Sequence, residues 1–101
     1  MGRITDRDVE AVRACVASIP PGRVMTYGDI AAVVGLASPR IAAAIMRADS
    51  ADLPWHRVIL ASGRPAPHIA TRQLAALRAE GVLADDGRIP LRRVRWLPEP
   101  P

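Results

Sequence analysis

The spacing of helix breakers and helix caps between residues 20 and 48 constrains this chain's fold more than any other feature. Pro20-Pro21-Gly22 interrupts one helical pattern, Gly35 closes a second, and Ser38-Pro39 opens a third almost at once. Proline inside a helix removes a backbone donor and clashes with the preceding turn, so each stretch is short. Thr26 caps the second helix, and Asp29 three residues on completes a capping box. Ile30, Val33 and Val34 then face the core, and Gly35 is a natural C-terminal stop. Ser38 is an N-cap, and Pro39 fits the first helical position of the third helix, over 39–48. In that helix Ile41, Ala44, Ile45 and Ala48 fall on one side, while Arg40, Ala43 and Arg47 fall on another. Two short helices joined by a tight glycine-containing turn read as a helix-turn-helix, with the second as its recognition helix.

The flanking segments complete one small domain over residues 1–101. Thr5 caps a first helix with Asp6 and Asp8 in its first turn, where negative charge is favoured. Val9, Val12, Val16 and Ile19 form its apolar stripe. Cys15, beside the stripe, reads as a small buried hydrophobe, because a reactive thiol needs an electropositive, accessible site. Val24-Met25 is a short extended piece. A loop over 61–69 precedes a fourth helix over 69–80, with Leu74 and Leu77 inward and Gly81 ending it. Val82, Leu83, Ile89 and Leu91 around Asp86-Gly87 read as a β-hairpin. Arg92, Arg93 and Arg95 with Trp96 form either a basic wing or a core-packed tryptophan among solvated arginines. The proline-rich end, 98–101, reads as a frayed tail. The fold class is mainly α with a small β-hairpin, a winged helix-turn-helix-like single domain.

Charge narrows the partners. All 14 cationic residues are arginine; against 10 acidic residues they leave a net charge of +4 and a pI near 10.9. Such an excess suits a polyanion such as nucleic acid through phosphate neutralisation and counterion release, and a solvated arginine-rich surface accounts for it equally well. A single cysteine gives no disulfide framework, and no signal peptide is visible, so the expected setting is a reducing cytoplasm. No apolar run approaches the roughly 20 residues that span a bilayer, so no membrane partner is expected. Two histidines and one distant cysteine provide no metal-ligand set, and no cofactor is implied.

The segment Pro54-Trp55-His56-Arg57 carries the chemistry. His56 is suited to general-base work, but that needs a nucleophile within reach. Its neighbour, Trp55, has an indole N–H donor and no acceptor. The arrangement resembles a catalytic site that lacks its reacting atom.

Taken together, "PGRVMTYGDIAAVVG", the arginine of "SPRIAAAIMR" and "PWHRVI" resemble the DNA-binding domain of alkylguanine-DNA alkyltransferases. Those enzymes carry Pro-Cys-His-Arg, and the cysteine accepts the alkyl group. With Trp55 in the cysteine's place, the chain is more similar to the alkyltransferase-like proteins, whose motif is Pro-Trp-His-Arg. The resemblance covers about residues 5–97 and implies the fold of the alkyltransferase C-terminal domain.

The resemblance also implies roles. Tyr27 presses on the target phosphate, and Arg40 enters the duplex through the minor groove to fill the place of an extruded base. Thr26, Ser38, Pro39 and Ala43 surround them on the DNA-facing helices. Trp55, His56 and Arg57 belong to the pocket for the flipped guanine. The family's loop arginine near the alkylated base falls at His68 by count from the tryptophan, with Arg64 the nearer basic residue. Asp49 stands where the family has an asparagine that hydrogen-bonds the histidine, and Glu80 matches the glutamate behind that histidine. No residue is implied to be catalytic or to bind a metal. The implied function is non-enzymatic recognition of O6-alkylguanine in duplex DNA by a monomer, which marks the site for nucleotide excision repair proteins. A sequence-specific transcription regulator built on the same helix-turn-helix is the competing expectation.

Overall fold

A computed structural model describes residues 3–99, leaving Met1, Gly2, Pro100 and Pro101 outside, so the last part of the expected tail falls outside the described residues. Helix α1 (Asp6–Ala17) begins with a complete capping box, the Thr5 hydroxyl accepting from the Asp8 N–H and the Asp8 carboxylate accepting from the Thr5 N–H. It stops before Ile19, which is nevertheless fully buried. Strand β1 (Met25–Thr26) runs directly into α2 (Tyr27–Val34), whose start repeats the box with Thr26 and Asp29. After Gly35 in the left-handed conformation, the chain turns by 103° into α3 (Pro39–Ala48), the geometry of a helix-turn-helix. A 3-10 turn (Trp55–Arg57) leads into β2 (Val58–Ile59); a second 3-10 turn (Pro67–Ile69) opens α4 (Ala70–Ala79), and α5 (Leu91–Val94) closes the chain.

The two strands pair in parallel, Met25 with Val58 and Thr26 with Ile59. Alternation along a strand sends neighbours to opposite faces, and the sheet accordingly separates two clusters. Met25 and Val58 join Val12, Val16, Ile30, Ala42 and Ile45 on one side. Val24 and Ile59 join Leu77, Val82 and Ile89 on the other. The buried Asp29 carboxylate adds a tie to the chain end, accepting from Arg95 Nε at 3.0 Å and from Arg95 Nη2. Burial opposes its charge, but Arg95 and Thr26 outweigh burial and hold the carboxyl below its usual range.

Four expectations change. The hairpin over 82–91 is an isolated bridge between Asp85 and Arg88 around the Asp86-Gly87 turn. Beyond it the Ile89 N–H bonds to the Gly63 carbonyl rather than to a partner strand, and Leu91 starts α5. The buried face of α3 is Ala42, Ile45 and Met46, not Ala44 and Ala48, because α1 and α2 pack on that side. Val33 is 46% exposed; Ile30 and Ala31 carry the burial of α2. Ser38 has the extended backbone of an N-cap but makes no side-chain cap bond. Trp96 packs on the first cluster, while Arg92 and Arg93 are exposed.

Two glycines test this packing. Gly63 has φ +85°, and a Cβ there would meet the Ile89 carbonyl oxygen at 2.8 Å; Gly35 has φ +80° with open space around it. Gly35→Ala therefore loses about 1 kcal/mol, the left-handed strain alone, and Gly63→Ala about 3 kcal/mol, as urea denaturation will measure.

Candidate functional site

Two side chains of α4 hold the Trp55–Arg57 turn. Gln73, fully buried on α4, donates its amide N–H groups to the carbonyls of His56 and Val58, at 2.9 and 2.7 Å. Glu80, at the C-terminal end of α4, receives Arg57 Nη2 at 2.7 Å and Arg57 Nε at 3.1 and 3.2 Å. The same carboxylate accepts from the Gly22 N–H at 2.9 Å and lies 2.7 Å from His56 Nε2. Arg57, the backbone N–H of Gly22 and His56 hold the Glu80 carboxyl down at about 2 against the opposing effect of burial. An ionised carboxylate only accepts, so His56 Nε2 carries the proton in this contact.

Held in this way, Trp55 is half-buried. It packs against the first cluster and also lines a cavity of about 550 Å³, within the roughly 300–1,000 Å³ typical of small-molecule sites. Tyr27 of α2, Ala43 and Arg47 of α3 and the turn of residues 49–52 form one side; Leu60, His68 and Arg72 form the other. Arg72 places its guanidinium carbon 5.3 Å from the centre of the indole ring, a cation–π contact. His56 meets the indole edge-on at 6.1 Å. Burial pushes the Tyr27 hydroxyl up, with nearby Arg47 opposing, so it stays a neutral donor.

The expected residues thus divide. Tyr27, Ala43, Asp49, Trp55 and His68 meet at the cavity, and Arg40 and Pro39 stand exposed at the first turn of the adjoining α3. Arg57 does not line it, because Glu80 and the Ile19 carbonyl take its guanidinium inward. His56 likewise turns toward Glu80. Arg64 bonds the Asp86 carbonyl and lines a separate cavity of about 330 Å³ with Asp85 and Arg88. Thr26 is buried, and its hydroxyl accepts from the Asp29 N–H in the α2 cap. Asp49 bonds Arg13, not His56.

Arg72 escaped the sequence reading. Its only signal is that it lies on the face of α4 away from Leu74 and Leu77, which fits any solvated arginine. Among the described residues no group of three or more His, Cys, Asp or Glu side chains is placed to hold a metal ion. No thiol lines the cavity: Cys15 is buried in α1, its sulfur 3.8 Å from Met25 Sδ, and burial pushes the thiol up.

Fold and site together define a helix-turn-helix domain with an aromatic cavity against its second helix. The chain belongs to the family described as 6-O-methylguanine DNA methyltransferase, DNA binding domain, whose model matches residues 9–82. It is 42% identical over 90 residues to a DNA base-flipping protein of Escherichia coli K12, covering 80% of this chain and 67% of that one. A DNA base-flipping protein of Vibrio parahaemolyticus is 34% identical over 101 residues, covering 92% and 99%. The structure of S. pombe Atl1 in complex with damaged DNA containing O6-carboxymethylguanine superimposes with a TM-score of 0.81 at 31% identity, over 93% of this chain and 98% of that one. The Mycobacterium tuberculosis O6-methylguanine methyltransferase gives 0.65 at 30% identity, over 77% and 50%.

The Glu80 network has a pH signature. Its carboxyl titrates lower when folded, about 2, than the ordinary 4.5, so its contribution is complete above pH 4.5 and is lost as pH falls toward 2. Glu80→Gln should lower unfolding free energy by about 2–3 kcal/mol at pH 7 and flatten the wild-type decline between pH 4.5 and 2, followed by denaturant titration at each pH.

Proposed function

We propose that this chain recognises alkylated guanine in duplex DNA and does no chemistry on it. The α2–α3 unit docks in the minor groove, the guanine rotates out of the stack into the cavity beside Trp55, and Arg40 takes its vacated place. Tyr27 presses on the phosphate at that step. The bound complex then marks the site for nucleotide excision repair proteins.

One observation carries the reading: a cavity roomy enough for a purine, against the recognition helix that also carries the exposed Arg40, is lined by an indole and, among the described residues, by no thiol. Extruding a base costs a few kcal/mol, less for a damaged one. Stacking on an aromatic face returns about 1–3 kcal/mol. Both are binding energies, whereas alkyl transfer needs a nucleophile at the cavity. The names of the bacterial relatives and the damaged DNA bound to Atl1 support the same class of ligand.

The test uses duplexes that differ only by one O6-methylguanine carrying a labelled methyl group. The proposal expects preferential binding of the lesion duplex and no label on the protein. Equal affinity for both duplexes favours a sequence-specific regulator, and stoichiometric labelling would mean an alkyltransferase; either result ends the proposal. Arg40→Ala, at an exposed position without an ion pair among the described residues, should weaken lesion binding about tenfold or more while leaving thermal stability unchanged.

A further inference from the structure

We propose that Arg13, on α1 and not itself a lining residue, is a positioning residue for the cavity: by gripping the turn of residues 49–52 it fixes one wall of the space beside Trp55. One guanidinium reaches four acceptors. Nη1 donates to the Asp49 carbonyl, to Asp49 Oδ1 and to Asp52 Oδ1, each at 3.0 Å, and Nη2 donates to Asp52 Oδ2. Residues 49–52 all line the cavity, and the chain passes from them through Leu53 and Pro54 to the indole.

Little else secures this wall. Its local bonds are the Asp49 N–H to the Ile45 carbonyl, the Leu53 N–H to the Ser50 carbonyl, and the Ser50 hydroxyl to the Met46 carbonyl. Asp49 and Asp52 are both more than half exposed, so neither is held by packing. Without Arg13 they would be two like charges close together at the rim. With it, the Arg13 hydrogen bond holds the Asp52 carboxyl below its usual range. The fork matters as much as the charge, because a lysine ammonium offers a point charge in place of two nitrogens set at fixed positions that reach both carboxylates. The effect on ligand binding rests on the cavity's being the lesion pocket; the effect on the wall does not.

Two readouts separate these. Amide hydrogen exchange on the free protein reports the wall, through the Asp49, Leu53 and Trp55 N–H groups. Relative affinity for duplexes with and without one O6-methylguanine reports the pocket. In Arg13→Gln and in Asp52→Asn, exchange at those amides should rise about tenfold while α1 amides keep their wild-type rates. The lesion preference should fall several-fold with binding to the unmodified duplex little changed. Arg13→Lys should behave like Arg13→Gln. Wild-type exchange in Arg13→Gln overturns the proposal, as does full wild-type behaviour in Arg13→Lys, which would make charge sufficient. Asp52→Asn raises the net positive charge, so tighter binding of both duplexes at an unchanged ratio also overturns it. Absence of lesion preference in the wild type would defeat the functional reading, and the exchange rates would still decide the role of Arg13.

Discussion

The Glu80 carboxylate is the contact on which the rest depends. It sits at the end of α4 and binds groups from two places far from it in sequence: the Gly22 N–H after α1, and the side chains of the neighbouring His56 and Arg57. A half-buried anion with one partner would be unfavourable. This one has a forked guanidinium, a backbone donor and an imidazole N–H, and that full complement offsets its desolvation. The consequence is positional. The Trp55–Arg57 turn cannot shift without breaking this node or the two Gln73 bonds beside it, so the indole is delivered to a fixed place.

From that node the architecture divides its work. The short parallel sheet separates two apolar clusters, and the first of them supports α2 and α3 from beneath. Because Ala42, Ile45 and Met46 point inward, Arg40, Ala43 and Arg47 are left on the other side of α3. The cavity lies between this face and the start of α4. Its indole carries a cation over the ring, and two of its carboxylates are engaged by a single arginine from α1. The site thus presents aromatic surface and positive charge, and no thiol among its described lining residues.

What the sequence made legible was local. The Thr5 cap, the Thr26 capping box, the Gly35 stop and Pro39 obey rules that span three or four residues, and the helix-turn-helix followed from the last three. The parallel pairing of Met25 with Val58 was hidden, because a two-residue strand has no period of its own. The Asp86-Gly87 pattern satisfied a hairpin rule locally, yet Gly63 captured Ile89 and led the chain elsewhere. Of the basic residues near Trp55, sequence distance misled. Arg57 and Arg64 are closer along the chain, but Glu80 and Asp86 claim them, while Arg72, in the first turn of α4, reaches the ring. Family resemblance supplied the roles that spacing alone left open, and it placed Asp49 beside His56, where the structure gives it to Arg13.

The central claim is that a purine turned out of a duplex comes to rest against the Trp55 indole. Resonances of the Trp55 indole N–H, followed by NMR during titration with duplex DNA, test it most directly. With one O6-methylguanine in the duplex, the indole signal and the amides around His68 and Arg72 should shift together; with the unmodified duplex, only the exposed face of α3 should respond. If the lesion duplex perturbs α3 while the indole and its neighbours stay where they were in the free protein, the cavity is not where the base goes.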